Sequence, residues 1–402
     1  MKIWEDEKQC YIRAAMERNT PAENEILKKN LEETDWSVLE NIGGKDAVSD
    51  RGVFAPLEAV ELAEIRARSA EFKELGLKAI REGRVGAVLL AGGQGTRLGL
   101  DRPKGTLNIG VEKELFLFEQ LVRNLMDVTG EAGAYIPLYV MTSRINHQDT
   151  VDFFAEHSWF GYPQDHIRFF TQEMAPACDY EGRVYMASPT EAAMSPNGNG
   201  GWFGSMIRAG LLEDLHARGT EWLNVFAVDN CLQRIADPVF IGATIAYGRE
   251  SGAKVVRKAA PDEKIGVLCT EDGRPSIVEY YEMTEEMVTA RKEDGSLKYG
   301  FGVILNYLFS EKKLEEIADR QLPVHVVEKK IPYLDTDGTM VKPDAPNGCK
   351  FEALVLDMVH MMDGCVPYEV EREREFAPIK NLHGIDSLDS ARELMRGCGI
   401  EF

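Results

Sequence analysis

A glycine-rich segment that ends in basic residues carries the clearest chemical signal in the sequence. It reads Leu-Ala-Gly-Gly-Gln-Gly-Thr-Arg-Leu-Gly from Leu90 and continues to a Pro-Lys pair at Lys104. Glycines let the backbone approach a ligand closely because they lack a Cβ atom, and successive N–H groups in such a loop can form an anion site. Arg97 adds a permanently charged fork and Lys104 a mobile point charge. The segment therefore predicts a nucleoside triphosphate site, with Gly92 and Gly93 against the ligand.

Two commoner glycine motifs do not fit this segment. The dinucleotide motif G-x-G-x-x-G fails, because its third glycine, counted from Gly93, would fall on Leu98. The phosphate-loop motif G-x-x-x-x-G-K-[ST] also fails, since no glycine directly precedes Lys104. The loop therefore belongs to neither of these classes of nucleotide site.

A second glycine cluster, Pro-Asn-Gly-Asn-Gly-Gly from Pro196, lies before a helical run that begins near Ser205. Glycines in front of a helix again allow close backbone approach at the positive helix end. Amide groups here could read a flat base edge or a sugar hydroxyl, which makes Gly198 and Asn199 candidates for binding. The bare pattern is equally typical of a surface turn.

An acidic residue closes an apolar strand candidate at residues 223–229. A carboxylate in this place suits a hard cation, and Mg²⁺ takes one or two carboxylates and completes its shell with phosphates and water. Asp229 is therefore the candidate metal ligand, for Mg²⁺ or Mn²⁺. The alternative is that Asp229 caps the helix that follows.

Composition excludes several classes of protein. The net charge of −21 argues against nucleic acid, whose binding depends on Lys and Arg neutralising phosphates. No apolar run approaches the roughly 18 residues of a membrane span, and the acidic N-terminus lacks the apolar core of a secretory signal. Seven cysteines without a C-x-x-C pair indicate a reduced set of thiols. These observations predict a cytoplasmic protein that binds small molecules and neither nucleic acid nor membrane.

The hydrophobic pattern predicts an α/β fold. Residues 1–82 read as a helical extension, because apolar residues recur there every three to four positions. From Gly83, short apolar strands alternate with helices, which is typical of a mainly parallel central sheet flanked by helices. We therefore predict a catalytic domain at 83–381 and a short tail at 382–402. The glycine-rich loop, Gln172 and Asp229 all fall at carboxyl ends of strands, where such sheets bind ligands.

Taken together, the motifs resemble those of the eukaryotic-type UDP-sugar pyrophosphorylases. The glycine-rich segment with its Pro-Lys pair, the P-N-G-N-G-G loop, the V-D-N string and two late lysine strings match this family over roughly residues 85–390. The branch that makes UDP-N-acetylglucosamine is the most similar. The resemblance implies a Rossmann-like nucleotidyltransferase fold and a reaction in which UTP and a sugar-1-phosphate give a UDP-sugar and pyrophosphate.

The same resemblance implies roles for the charged residues of the motifs. Arg97 and Lys104 would bind the triphosphate and the departing pyrophosphate, and Asp229 would hold the metal. Lys380 would stabilise the reacting phosphates, assisted by Lys350. Such a reaction depends on positioned charges and needs no general base.

Contacts with uracil and the sugar are implied in the same way. Gln172 offers both a donor and an acceptor, as a uracil edge requires, and Gly198 lies in the uridine loop of the family. The implied sugar-side contacts are Asn199, Gly266, Glu279 and Asn306.

One position departs from the acetylglucosamine branch. The string Gly-Val-Ile-Leu-Asn has Val303 where that branch has asparagine, although Asn306 is retained. UDP-N-acetylglucosamine is therefore the first choice of product, and the alternative is UDP-glucose, UDP-galactose or a broad range of UDP-sugars. A protein that binds UDP-sugars without catalysis is a third reading of the same motifs.

Overall fold

Contacts divide the described chain into two units. The computed structural model describes residues 2–42 and 51–402. Unit 1 contains the described part of Met1–Arg51 together with Gln172–Gly201 and Gln321–Val355. Unit 2 contains Gly52–Thr171, Trp202–Arg320 and Leu356–Phe402. Each unit therefore combines segments that are distant in sequence.

Helices occur along the whole described chain. Among them, none combines the length and the apolar character that a bilayer span requires. In chain order the α-helices are α1 Cys10–Arg18, α2 Pro21–Glu32, α3 Leu62–Arg81, α4 Leu117–Ala132, α5 His147–Glu156, α6 Trp202–Arg208, α7 Leu212–Arg218, α8 Pro238–Ala246, α9 Glu285–Thr289, α10 Glu311–Ile317, α11 Val355–His360, α12 Arg372–Glu375 and α13 Leu388–Gly397.

Strands alternate with these helices. They are β1 Phe54–Pro56, β2 Val85–Leu90, β3 Leu138–Thr142, β4 Ile167–Thr171, β5 Met174–Pro176, β6 Met186–Ser188, β7 Glu191–Ala192, β8 Met194–Pro196, β9 Trp222–Ala227, β10 Ser251–Arg257, β11 Val267–Glu271, β12 Arg274–Val278, β13 Phe301–Ser310, β14 His325–Lys329, β15 Tyr333–Leu334, β16 Met340–Val341, β17 Gly348–Glu352 and β18 Cys365–Glu369.

A sheet of ten of the described strands forms the centre of unit 2. Its core strands run parallel in the order β9-β2-β3-β4, and β2 is buried along its whole length. A strand that is covered on both faces needs apolar residues throughout, which explains the uninterrupted apolar run of β2. β13 pairs antiparallel with β9 and extends the sheet towards β10 and β11. The predicted α/β class and the mostly parallel core are thus confirmed.

Two helices of unit 2 cross at glycines. A Cβ atom on Gly242 of α8 would overlap the carbonyl oxygen of Phe72 in α3. A Cβ atom on Gly76 of α3 would overlap the carbonyl oxygen of Pro238 in α8. The two helix backbones therefore touch directly, and a side chain at either position would force them apart.

Replacing Gly242 by alanine is expected to destabilise the fold by about 1–3 kcal/mol, because the added methyl group overpacks this crossing. Gly130, inside α4, is the matched control, since an added Cβ atom there meets nothing within 4 Å. Gly130→Ala is expected to be neutral or stabilising by up to about 1 kcal/mol, because alanine restricts the unfolded chain. Urea unfolding measures both changes, and equal free energies of unfolding would contradict the backbone contact.

Small sheets and the first two helices make up the described part of unit 1. Strands β16-β15-β6-β7 form one sheet, β14 pairs with β17, and β5 pairs with β8. α1 and α2 pack on the first of these sheets, where Ile12, Leu27 and Leu31 are buried in one cluster with Met186 and Leu334. The N-terminal helices therefore share a core with residues from two later segments of the chain.

These groupings differ from the predicted boundaries at 1–82, 83–381 and 382–402. α1 and α2 belong to unit 1, whereas α3 belongs to unit 2. α13 also belongs to unit 2, where Leu388 and Met395 join the main core. The physical reason is that periodicity shows that a helix has an apolar face, but not which surface covers that face.

Candidate active site

The glycine-rich loop leaves the end of β2 and folds back on itself. The N–H of Gly95 donates to the carbonyl oxygen of Arg102 at 3.1 Å, and the N–H of Lys104 donates to that of Gly93 at 3.3 Å. Gly99, at the turn, has a φ of +70°, a conformation that glycine adopts without steric cost. The returning chain therefore brings Lys104 back beside the start of the loop.

The first glycines of the loop are accessible. Gly92 is half-buried and Gly93 is exposed, and an added Cβ atom on Gly93 would meet nothing within 4 Å. Packing within the chain therefore does not require glycine at position 93. The open space leaves room for another molecule against the backbone.

Asp229 and Lys104 form an ion pair at the carboxyl ends of two neighbouring strands. Because β2 and β9 run parallel side by side, the loops that follow them lie next to each other. The carboxylate Oδ2 of Asp229 lies 3.5 Å from Nζ of Lys104, and the two side chains are 25% and 16% exposed. Burial lowers the pKa of Lys104, whereas the charge of Asp229 raises it. The pair is thus largely withdrawn from water but still reachable.

The charges of Lys380 and Arg97 also act on this ion pair. The N–H of Ile379 donates to the carbonyl oxygen of Asp229 at 2.9 Å. The backbone of the next residue, Lys380, therefore begins close to Asp229. The charges of both Lys380 and Arg97 act on Lys104 and lower its pKa. The charges of Arg97 and Lys380 are therefore close enough to act on the lysine that is paired with Asp229.

Gly266 and Glu279 lie together at the base of the β11–β12 hairpin. A Cβ atom on Gly266 would stand 3.3 Å from Oε1 of Glu279. The carbonyl oxygen of Gly266 accepts from the N–H of Val303 on β13 at 2.9 Å. The two predicted sugar contacts and the departing position 303 therefore share one small region of unit 2.

The remaining glycine loop lies in unit 1 and is folded by its own backbone. Gly198 has a φ of +87°, and a Cβ atom there would overlap the carbonyl oxygen of Ala353. The same oxygen accepts from the N–H of Gly200 at 2.8 Å, and Oδ1 of Asn199 accepts from the N–H of Val355 at 2.9 Å. Glycine at 198 is therefore required by close packing, and Asn199 already has a partner in the chain.

Two further predicted residues lie in unit 1. Gln172, directly after β4, is 6% exposed. Lys350 lies on β17 opposite Val327, and burial lowers its pKa, an effect that Glu352 opposes. Unit 1 thus holds Gln172, Gly198, Asn199 and Lys350, whereas the cluster at Asp229 and the Gly266–Glu279 pair belong to unit 2.

Comparison with known proteins shows the family of the chain. The model of a family described as UTP–glucose-1-phosphate uridylyltransferase (UDPGP) matches residues 52–392. The chain belongs to this family. The resemblance stated from the motifs is thereby confirmed.

Relatives within the family point to one branch. The human UDP-N-acetylhexosamine pyrophosphorylase-like protein 1 is 40% identical over 330 residues, which are 80% of this chain and 65% of that protein. The chain thus spans less than two thirds of this relative. UDP-N-acetylglucosamine diphosphorylase 2 of Arabidopsis thaliana is 34% identical over 405 residues, 94% of this chain and 78% of that protein.

A solved structure is similar to the chain over most of its length. The UDP-N-acetylglucosamine pyrophosphorylase of Trypanosoma brucei, crystallised with an inhibitor, superposes with a TM-score of 0.83. It is 28% identical, and the match covers 96% of this chain and 82% of that chain. The UDPGP fold therefore extends through nearly all of the sequence.

Asn306, predicted as a substrate contact, is placed differently from that expectation. Its side chain is fully buried, its Nδ2 donates to Oε1 of Gln233 at 3.2 Å, and its Oδ1 accepts from Nδ2 of Asn224 at 2.8 Å. Asn224 Oδ1 accepts in turn from the N–H of Ala236 at 2.7 Å. In this structure Asn306 links β13 to β9 and to the segment beyond Asp229, and both ends of its amide are hydrogen-bonded within the chain.

One supporting residue escaped the sequence reasoning. Asn146, fully buried, donates from Nδ2 to the carbonyl oxygens of Ala91 at 3.0 Å and Gly93 at 3.4 Å. Its Oδ1 accepts from the N–H of Ser143 at 2.7 Å. Asn146 thus holds the start of the glycine-rich loop, and the only sequence signal for it is an asparagine directly before a helix.

The residues at Asp229 fit the predicted Mg²⁺ or Mn²⁺. Mg²⁺ is commonly held by one or two carboxylates together with substrate phosphates, and Asp229 offers one partly exposed carboxylate. Among the described residues, a group with three potential metal ligands is His216, Glu311 and Glu315. In that group His216 pairs with both glutamates. The N–H of Glu311 donates to the carbonyl oxygen of Glu221, which precedes β9, so this group lies at the end of β9 opposite to Asp229.

Proposed function

We propose that the chain is a uridylyltransferase that forms a UDP-sugar and pyrophosphate from UTP and a sugar-1-phosphate. The ion pair of Lys104 with Asp229, on whose lysine the charges of Arg97 and Lys380 also act, carries this proposal. A chain with a net charge of −21 attracts a polyanion only where cations are locally concentrated. This cluster is such a place, at the edge of the sheet where ligands bind.

The nucleophile in this reaction is an oxygen of the sugar phosphate. The second pKa of a phosphate monoester is about 6, so this oxygen is already ionised at neutral pH. It attacks the α-phosphorus of UTP, and the bond to the departing pyrophosphate breaks. Arg97 and Lys104 hold the triphosphate and the pyrophosphate, and Lys380, assisted by Lys350, stabilises charge on the reacting phosphates. The work of the protein is positional and electrostatic.

Asp229 would hold Mg²⁺ or Mn²⁺ in this reaction. The ion, when bound, supplies positive charge to the phosphate oxygens. Lys104 shares the same carboxylate in the structure. The carboxylate therefore keeps two kinds of cation within reach of one polyanion.

N-acetylglucosamine-1-phosphate is the first choice of sugar substrate. The human and Arabidopsis relatives are named for N-acetylhexosamine and N-acetylglucosamine, which supports this choice. Gly266, Glu279 and Asn199 would contact the sugar, and Gln172 and Gly198 the uracil. Val303, beside Gly266, favours the alternative of UDP-glucose, UDP-galactose or a broad range of UDP-sugars.

Turnover with three sugar phosphates tests both parts of the proposal. Pyrophosphate release from UTP is measured with N-acetylglucosamine-1-phosphate, glucose-1-phosphate and galactose-1-phosphate at saturating Mg²⁺. We expect the highest kcat/KM with the first, because the motifs and the named relatives agree on it. A higher value with either hexose phosphate would support the alternative. UDP-sugar binding without pyrophosphate release from any of the three would refute catalysis and leave a UDP-sugar-binding protein.

The cellular setting stays a prediction. All seven cysteines are free in the structure, which supports the cytoplasmic location inferred from the cysteine pattern. The absence of nucleic-acid and membrane partners is likewise expected from the charge and hydropathy of the chain.

A further inference from the structure

Lys254 is a buried lysine that the proposed reaction does not use. It lies on β10, and its side chain has no exposed surface. Its Nζ lies 2.5 Å from Oε2 of Glu375 and 3.4 Å from Oδ2 of Asp237, and it donates to the carbonyl oxygen of Arg234 at 2.9 Å. A buried cation is costly unless it is paired and hydrogen-bonded, and here three oxygen atoms surround it.

Glu375 receives a second contact from the same neighbours. Its Oε2 also accepts from the backbone N–H of Arg234 at 3.2 Å. Burial raises the pKa of Glu375, Lys254 lowers it, and Asp237 raises it. Lys254 is therefore the nearby cation that opposes the effect of burial and of a second acidic group on this carboxylate.

The chain that follows Glu375 leads to the active-site cluster. Its carbonyl oxygen accepts from Nδ2 of Asn230 at 2.7 Å, and the N–H of Ala377 donates to Oδ1 of Asn230 at 2.9 Å. The N–H of Ile379 then donates to the carbonyl oxygen of Asp229 at 2.9 Å. This segment thus lies against the residues that directly follow β9. Lys380, the lysine assigned to the reacting phosphates, directly follows Ile379 at the end of this segment.

We infer that Lys254 is a positioning residue that fixes Glu375 and thereby sets where Lys380 lies beside Asp229. The expected effect of Lys254 on the reaction rate rests on the proposed function, whereas its effect on the position of the segment does not. Lys254 has no exposed surface from which to touch a substrate, so it acts through the segment it holds. Misplacing a catalytic group by about 1 Å costs on the order of 10² in rate.

The test compares Lys254→Met, Glu375→Gln and the double variant. The double variant removes both charges of the pair together, and Asp237 keeps Arg234, whose Nε lies 3.4 Å from its Oδ1. It is therefore expected to fold even if a single variant does not. We expect its kcat for pyrophosphate release to fall by about 10²-fold, with a smaller change in KM for UTP. Lys313→Met is the matched control, because it breaks the partly buried ion pair of Lys313 with Asp363 in another part of unit 2. Its kcat is expected to stay within about twofold of wild type.

Repeating the double substitution in a Lys380→Ala chain separates positioning from general stability. If Lys254 acts through Lys380, adding the double substitution changes the kcat of the Lys380→Ala chain by no more than about twofold. A merely structural role lowers kcat by the same factor in both backgrounds. Equal factors would overturn the inference.

Hydrogen exchange gives a readout that does not depend on turnover. The amide hydrogens of Ala377 and Ile379 are expected to exchange at least about tenfold faster in the double variant, whereas those of β2 keep their wild-type rates. Unchanged exchange at both amides would overturn the inference whatever the kinetics. A wild-type chain that releases no pyrophosphate from any of the three sugar phosphates refutes the proposed function instead, and hydrogen exchange then decides the role of Lys254.

Discussion

Lys380→Ala is expected to lower the kcat of pyrophosphate release by about 10²–10³, the usual cost of losing one electrostatic contact to a transition state. Lys380 follows the residue that is hydrogen-bonded to Asp229, and its charge acts on Lys104. Because the contact serves charge that develops during the reaction, KM for UTP is expected to change less than kcat. Steady-state kinetics with UTP and N-acetylglucosamine-1-phosphate measure both constants.

The ion pair of Lys380 provides the control for this experiment. Its Nζ lies 2.9 Å from Oδ2 of Asp386, and both side chains are partly exposed. Asp386→Asn removes the pair but leaves the lysine charge, so kcat is expected to stay within about fivefold of wild type. If Asp386→Asn were as damaging as Lys380→Ala, the role assigned to Lys380 would be wrong.

Asp229→Asn is expected to lower kcat by at least about 10²-fold at low millimolar Mg²⁺, because a bound metal contributes several kcal/mol of charge stabilisation. Asparagine keeps the shape of the side chain but not its charge, so higher Mg²⁺ is expected to restore only part of the activity. Asp127→Asn, at an exposed position of α4, is the control and should leave the Mg²⁺ titration unchanged. An Asp229→Asn enzyme with the wild-type Mg²⁺ midpoint would refute the assignment of the metal ligand.

The same substitution is expected to change the pH profile of kcat. Burial lowers the pKa of Lys104, and the charge of Asp229 opposes this effect. Without that charge the pKa of Lys104 falls further, so the lysine loses its proton at a lower pH. The alkaline limb of kcat is therefore expected at lower pH in Asp229→Asn than in wild type. Superimposable profiles between about pH 7 and 10 would speak against the coupling.

The part of the site built on local patterns could be predicted from the sequence. The apolar run of β2 specifies a buried strand, and the glycines after it specify a loop at its carboxyl end. Which strand lies beside β2 could not be predicted in this way: the parallel pairing with β9, which brings Lys104 and Asp229 together, joins strands more than one hundred residues apart. Lys380 could likewise be added only through the family resemblance, because the hydrogen bond from Ile379 to Asp229 joins segments about 150 residues apart, and no periodicity encodes such a contact.

The partners of buried polar residues could not be predicted from the sequence. Asn146 and Asn306 are both fully buried, yet an asparagine that binds a ligand and one that binds other groups of its own chain look alike in sequence. Which of them meets a ligand depends on burial and on nearby unpaired N–H and C=O groups, and both arise only from the folded chain. The same holds for Lys254, whose charge suggests an exposed position that it does not occupy.

The assembly of unit 1 has a consequence for the growing polypeptide. Ile12 and Leu27 on the first two helices reach their full core only when Leu334 is present, more than three hundred residues later. At roughly 5–20 residues per second, a ribosome takes on the order of 15–60 s to supply that residue. Until Leu334 is made, the apolar side chains of these helices lack part of their core, so we expect this segment to bind chaperones during translation.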